Sequence, residues 1–340
     1  MTASITVVGA GSWGTTLAML AAGNGHAATL IARDPESARR LGEARVNERY
    51  LPGIALPSQI DVASDPREAV SRAEVVVLAV PVGAMREAAR QIAPALRAGV
   101  VVSVAKGLEQ GSLLRMTEVL AEELSGRSVA IAALSGPNLA REIAAGRPAA
   151  SVVASRDRAA AATVAACFQS SAFRVYTSDD PVGVELGGSL KNVVAIAAGI
   201  GDGLGMGDNA KAALVTRGLA EMTRLGVACG GNPLTFAGLS GLGDLVATCV
   251  SPLSRNRRVG LGLGEGRSLA ETLATLGQVA EGVWTAPAAV ALGKRHGVEL
   301  PIAEQVAAVL EGARTPVEAM RRLMEREQTR ELWGIEPGGW

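Results

Sequence analysis

Residues 181–209, PVGVELGGSLKNVVAIAAGIGDGLGMGDN, set one lysine, Lys191, beside one asparagine in a helix built mostly of glycine and small apolar residues. An amine in such surroundings can give or take a proton if desolvation brings its pKa down from the usual ~10.4. Gly187 and Gly188 fall on the same helix face one turn earlier, which lets a ligand approach the backbone beside the ammonium group. The plainer reading is a lysine snorkelling from an amphipathic helix. Other polar residues suit the same chemistry. Lys106 follows an apolar run in AKGLE, and LSGPNLARE reads as a turn in which Gly136 caps a helix with Pro137 at its first position, leaving free N–H groups for an anion or carbonyl. Asp244 follows the glycine-rich turn GLSGLGD. Ser254, Arg255 and Asn256 in PLSRNRR combine a bidentate charged fork with neutral donors, as phosphate binding requires.

The elements that would position these groups begin at the N-terminus. Ile5 to Val8 is an apolar run leading into GAGSWG and then a helix-forming segment, the strand, turn and helix order of a dinucleotide fingerprint. Gly9 permits the tight turn, Gly11 lets a pyrophosphate reach the backbone, and Gly14 lets the helix pack on the strand. After the second strand, Ala28 to Ile31, the place usually taken by an acidic residue on the ribose 2′-hydroxyl holds Ala32, followed by Arg33 and Asp34. Arg33 can meet a 2′-phosphate, so NADPH is favoured over NADH, with Asp34 the residue that could recover NAD. Further apolar runs at Val75 to Val80, Val100 to Val104, Val129 to Ala133, Ser151 to Ala154 and Arg174 to Tyr176 alternate with helical stretches. The fold expected is α/β: a Rossmann-type, doubly wound, mostly parallel sheet over 1–180, an all-helical substrate domain over 181–330, and a flexible tail over 331–340.

Composition narrows the function. Thirty-three basic residues balance 33 acidic ones, which argues against nucleic acid as partner. No secretory leader is legible, and the apolar runs look too short to span a bilayer, so a cytoplasmic protein without a transmembrane segment is expected. Cys167, Cys229 and Cys249 fit neither a disulfide framework nor a metal site. The two histidines, His26 and His296, lie away from the turns above, which disfavours a dehydrogenase with a histidine base. The Ala/Gly-rich helical half leaves room for a homodimer face.

GAGSWGT, AKGLE, SGPNLARE, VELGGSLKNVVAIAAGIGDGLGMGDN, GLSGLGDL, SRNRR and VAEGV follow one another as in bacterial-type NAD(P)-dependent glycerol-3-phosphate dehydrogenases, which the chain resembles from Ile5 to Ala319. The lysine segment is specific to that family; the glycine fingerprint is shared with many oxidoreductases. The resemblance implies a 6-phosphogluconate dehydrogenase-like architecture and interconversion of sn-glycerol 3-phosphate and dihydroxyacetone phosphate for phospholipid synthesis. It implies Lys191 as general acid/base, itself among the substrate contacts with Lys106, Gly136, Asn138, Asp244, Ser254, Arg255 and Asn256. Cofactor contacts carried over are Ser12, Trp13, Arg33, Lys106, Ala140, Arg255, Val279 and Glu281, beside the fingerprint's Gly9, Gly11 and Gly14. Asn138 stands where a small hydroxyl residue is usual, and Ser189 where Ala or Thr is. Desolvation, Lys106 and Arg255 should lower the Lys191 pKa and Asp244 should oppose them; the sequence leaves the balance open. The rival enzyme is a related β-hydroxyacid or sugar-acid dehydrogenase. The non-catalytic rival, a nucleotide-binding sensor, is disfavoured by the presence of both Lys191 and SRNRR.

Overall fold

The computed structural model describes residues 2–327 apart from positions 98 and 278; the expected tail at 331–340 lies outside the described residues. Two compact units are present, one formed by the chain up to Ala105 with Leu114–Pro181, the other by Lys106–Leu113 with the chain from Val182 on. Against the expected boundary after 180, Pro181 groups with the first unit and 106–113 with the helical unit, where Leu108 is buried in the helical core and Ser112 accepts from the Arg295 guanidinium through its carbonyl.

The first unit alternates strands and helices: β1 (Ser4–Val8), α1 (Ser12–Gly23), β2 (Ala27–Ile31), α2 (Pro35–Ala44), β3 (Ile60–Ala63), α3 (Arg67–Arg72), β4 (Val75–Leu78), α4 (Met85–Ile92), β5 (Gly99–Ser103), α5 (Met116–Glu123), β6 (Val129–Ser135), α6 (Ala140–Ala144), β7 (Ala149–Ala154), α7 (Arg158–Phe168) and β8 (Phe173–Ser178). The sheet order is β3-β2-β1-β4-β5-β6-β7-β8, parallel throughout except that β7 runs antiparallel to β6. Side-chain alternation divides each central strand between two cores. Val75, Val77, Val100 and Val102 pack on one face, while Val76, Leu78 and Val101 pack on the other. Burial on both faces is why these strands read as unbroken apolar runs. β3 was not legible in that way: it is four residues long, lies at the sheet edge and carries Asp61.

The second unit is helical: α8 (Pro181–Gly203), α9 (Gly207–Ala228), α10 (Pro233–Phe236), α11 (Asp244–Val250), α12 (Arg255–Gly264), α13 (Leu269–Leu276), α14 (Gly282–His296), α15 (Pro301–Leu310) and α16 (Pro316–Met324), with a π-helical turn, Leu239–Gly243, entering α11. From Pro181 to Ile200 every residue of α8 is buried, so it is the axis on which the other helices pack. Its glycines serve close contact with α12. A Cβ on Gly199 would lie 2.0 Å from the Arg257 carbonyl oxygen, and one on Gly260 would lie 1.9 Å from that of Ile196. The small residues that suggested a dimer face are here spent inside the unit. At α15, whose first turn lacks a side-chain cap of its own, the buried Glu221 carboxylate of α9 accepts from the N–H groups of Ile302 (2.7 Å) and Ala303 (3.3 Å). Desolvation pushes that carboxyl up to about 7.

Contrary to the expectation of short apolar runs only, Pro233–Val250 is an 18-residue window of mean hydropathy 1.3, the one window of membrane-spanning length and composition among the described residues. It is broken between α10, the π-turn and α11, contains the buried, ion-paired Asp244, and sends Phe236, Leu245 and Cys249 into the helical core. Of the window, 39% is buried, and Leu234, Leu242, Val246 and Val250 are exposed.

Gly260→Ala should therefore force α8 and α12 apart and cost about 1–3 kcal/mol, whereas Gly42→Ala in α2, where an added Cβ meets nothing within 4 Å, should gain about 0.4–1 kcal/mol. Urea unfolding of the two variants checks the contrast.

Candidate active site

The helical unit gathers Lys106, Lys191 and Asp244. Lys191 lies in the middle of α8 with its side chain 8% exposed; its Nζ donates to Asp244 Oδ1 at 3.0 Å and to Thr248 Oγ1 at 2.6 Å. Lys106 Nζ donates to the other carboxylate oxygen, Oδ2, at 2.6 Å. Asp244 opens α11, and one turn later the Thr248 hydroxyl donates to the Asp244 carbonyl at 2.6 Å, so it is oriented to accept from Lys191. The turn before Asp244 is brought against α8 at Gly187, where a Cβ would lie 2.7 Å from the Ser240 carbonyl oxygen. Gly187 thus admits this turn, not a ligand as expected.

A ladder of amides holds the neighbouring backbone. Gly282 N donates to Asn256 Oδ1 (2.9 Å), Asn256 Nδ2 to Asn192 Oδ1 (2.8 Å), and Asn192 Nδ2 to the Lys106 carbonyl (3.3 Å). The start of α14, the start of α12, the lysine helix and the Lys106 segment are linked in one chain. Ser254 is the N-cap of α12, accepting from Arg257 N at 3.2 Å and keeping its O–H as a donor. Arg255 follows at the first helical position, exposed, with enough desolvation to lower its guanidinium pKa and the Glu281 carboxylate opposing that shift. Arg257 is tied to Asp202 at 2.6 Å, and Lys211 takes the other Asp202 oxygen at 2.7 Å, which fixes the first turn of α12 to α8 and α9. Glu281 precedes α14, and Val279 is exposed two residues earlier.

Electrostatically the cluster holds two ammonium groups against one carboxylate. Desolvation brings Lys191 down to about 8, against the pull of Asp244 and with help from Lys106. The balance left open by the sequence therefore falls on the side of burial, and Arg255 is not among the main causes. The shift from 10.5 to about 8 corresponds to about 3 kcal/mol of preference for the neutral amine. Between those values the folded protein holds one proton fewer than the unfolded chain, so the Lys191 contribution to stability is least favourable below pH 8 and recovers as pH rises toward 10.5. Beside it the buried Cys249 thiol is pushed up to about 12 by desolvation and stays protonated.

In the first unit the fingerprint has three glycines with three environments. Gly9 has φ +112°, and an added Cβ would lie 2.6 Å from the Ala79 carbonyl oxygen, at the point where the strand order reverses between β1 and β4. A Cβ on Gly14 would lie 2.0 Å from the Gly9 carbonyl oxygen. At Gly11, the N-cap of α1, it would meet nothing within 4 Å. The open position is the one a pyrophosphate would need, at a helix N-terminus without a capping side chain. Ser12 begins α1, and the Trp13 ring stands edge-on to Phe173 at 6.2 Å. Arg33 is 81% exposed, and Asp34 is occupied: Oδ1 accepts from Ser37 N at 2.7 Å as the cap of α2, and Oδ2 is 3.4 Å from Arg33 Nε.

The SGPN turn differs from the reading of the sequence. The helix starts at Ala140, not Pro137, and Gly136 suits its position twice over, with φ +142° and a place where a Cβ would press on Ser151 of β7. Asn138 Nδ2 donates to Ser151 Oγ at 3.1 Å, while its Oδ1 is buried with no hydrogen-bond partner among the described residues. The Ala140 carbonyl accepts from Thr16 Oγ1 at 3.2 Å, tying α6 to α1. Thr248 and Asn192 were missed as site residues. Thr248 could have been found from its position one helical turn after Asp244, and Asn192 from its polarity in an apolar helix.

The family described as NAD-dependent glycerol-3-phosphate dehydrogenase matches in two parts, its N-terminus over residues 4–161 and its C-terminus over residues 180–321. A relative from Moorella thermoacetica, glycerol-3-phosphate dehydrogenase [NAD(P)+], is 50% identical over the whole of both chains. A second, from Sphingopyxis alaskensis, glycerol-3-phosphate dehydrogenase [NAD(P)+] 2, is 49% identical over 96% of this chain and 97% of its own. The crystal structure of glycerol-3-phosphate dehydrogenase from Coxiella burnetii superposes with a TM-score of 0.91 at 40% identity, covering 96% of this chain and 99% of that one. The yeast enzyme gives 0.80 at 27% identity, over 96% and 100%.

Proposed function

Because the chain belongs to the NAD-dependent glycerol-3-phosphate dehydrogenase family, we propose that Lys191, Lys106 and Asp244 are the centre at which its reaction takes place. The chain interconverts sn-glycerol 3-phosphate and dihydroxyacetone phosphate with NAD or NADP, in service of phospholipid synthesis. The observation that carries the proposal is the buried Lys191 ammonium with a pKa brought down to about 8 beside a shared carboxylate.

In the direction of reduction, a bound nicotinamide would supply the hydride to C2, and negative charge would grow on the C2 oxygen. Lys191 donates the proton that quenches it, and Lys106 adds a second positive group that favours the developing charge. In the direction of oxidation, neutral Lys191 takes the hydroxyl proton; with a pKa near 8 about a tenth of the protein holds that form at pH 7. Asp244 and Thr248 keep the amine in place. Ser254, Arg255 and Asn256 take the phosphate, supported by their position at the start of α12 and by the Asp202 tie that fixes it. Gly136 and Asn138 of the first unit are read as substrate contacts from the family resemblance alone. Gly9, Gly11, Ser12, Trp13, Gly14 and Ala140 would hold the dinucleotide, with Lys106, Arg255, Val279 and Glu281 as its further contacts.

NADPH is the favoured cofactor in this reading. The Arg33 side chain is 81% exposed, its one ion pair among the described residues is the 3.4 Å contact with Asp34, and so it can swing to a 2′-phosphate, while Asp34, which would be needed for a ribose hydroxyl, is engaged at the start of α2. We place the protein in the cytoplasm, in keeping with its free cysteines. We also read it as a homodimer, for which the exposed Leu242, Val246, Val250 and Leu253 offer a face; from 233 to 254 the only charged residue is the buried Asp244, so two copies of this surface meet without like-charge repulsion.

Loss of NADPH absorbance with dihydroxyacetone phosphate tests the proposal. Wild type should turn over, and Lys191→Ala should bind NADPH yet lose about a hundred- to ten-thousand-fold in kcat. Oxidation of glycerol 3-phosphate should climb through pH 8 and level off above it; a rate flat from about pH 6 to 10 contradicts a lysine base. Arg33→Ala should raise KM for NADPH well above its effect on KM for NADH, and equal effects would remove Arg33 from the 2′-phosphate site.

A further inference from the structure

The segment between α2 and β3 has almost no regular structure, yet it is pinned at its base. Arg45 takes a left-handed conformation (φ 50°), and its guanidinium donates to the carbonyls of Pro57 and, at 3.0 Å, Ile60. Val46 and Ala55 pair across it in an antiparallel bridge, and Leu51 is fully buried. This anchoring directs one side chain, Asn47, which is 8% exposed, at the glycine-rich turn. Asn47 Nδ2 donates to the Ala10 carbonyl at 2.9 Å and to Thr15 Oγ1 at 2.8 Å. A single amide group thereby ties the residue before the N-cap of α1 to a residue in its first turn.

The residues spanned by that tie, Gly11 to Gly14, are those whose backbone must face an anion. Their geometry has no local support of the usual kind, since the N-cap is glycine and no side chain caps the helix. Glycine at positions 9 and 11 leaves the Ala10 peptide free to rotate unless something holds its carbonyl. Rotation of the 10–11 peptide would swing the Gly11 N–H away from the helix N-terminus that presents the other donors. Asn47 holds that peptide from the far side of the turn through its bond to the Ala10 carbonyl, and its second bond, to Thr15 Oγ1, is buried.

We propose that Asn47 is a positioning residue for the dinucleotide: it locks the Ala10 peptide and the Thr15 hydroxyl so that the turn is already shaped for a pyrophosphate before the cofactor arrives. The proposal rests on the reading that the dinucleotide binds at this turn. Asn47 touches no reacting atom in this account. Its effect is on the affinity for the cofactor, because without the tie the turn must be ordered at the moment of binding.

The test compares full-length wild type, Asn47→Ala, Thr15→Val and Thr15→Ser by calorimetric titration with NADPH and by steady-state kinetics. Asn47→Ala and Thr15→Val should each weaken NADPH binding about ten-fold and raise KM for NADPH in step, with kcat and KM for dihydroxyacetone phosphate within about two-fold of wild type. Thr15→Ser, which keeps the hydroxyl, should bind NADPH as wild type does. If Asn47→Ala fails to fold, the Thr15 pair carries the same comparison. NADPH affinity unchanged in Asn47→Ala and Thr15→Val overturns the proposal, as does a Thr15→Ser variant as weak as Thr15→Val, which would assign the effect to the lost methyl group. A wild type that binds no NADPH overturns the dinucleotide reading and the proposal with it.

Discussion

One buried carboxylate, Asp244, has to serve two ammonium groups, and the helical unit is organised around that shortage of negative charge. Lys191 takes one oxygen and Lys106 the other. A lone Lys191–Asp244 pair would favour the charged amine. Dividing the carboxylate weakens its hold on Lys191, and burial of that amine then brings its pKa down to about 8. The cluster carries net positive charge when both lysines are protonated, which suits an oxygen that becomes negative and a substrate that brings a phosphate.

Keeping those groups in place takes contacts from several helices, each of which depends on an absent side chain or a distant one. Gly187 lets the turn before Asp244 lie on α8, and the reciprocal glycines of α8 and α12 bring the start of α12 close to the lysine helix. The amide ladder from Gly282 through Asn256 and Asn192 then fixes the carbonyl of Lys106. Removing any one rung leaves a polar group with an incomplete set of partners, at a cost of about 1–3 kcal/mol when the group is buried. The same economy recurs elsewhere: Glu221 caps α15 from α9, and Asn47 braces the glycine-rich turn from a loop beyond α2.

What the sequence makes legible is whatever leaves a local pattern. The continuous apolar runs of the central strands, the glycine spacing at the fingerprint and the isolated Lys191 all report on their own surroundings, and the runs are strands in the structure. β3 escaped because four residues with a charge among them make no pattern, and α6 begins only at Ala140, after Gly136 has passed close to Ser151 of β7. Gly187 was read as space for a ligand because sequence shows that a side chain is missing, not what fills the gap. Thr248, Asn192 and Asn47 act through partners between 32 and 86 residues away. No periodicity encodes such pairings.

The most direct test of the central claim is to titrate Lys191 itself. In protein carrying ¹³C at the lysine ε-carbon, the resonance missing from a Lys191→Arg control should move with a midpoint near pH 8. A midpoint at or above the ordinary lysine value would mean that the pull of Asp244 outweighs desolvation, and the site would then lack the base on which this account depends.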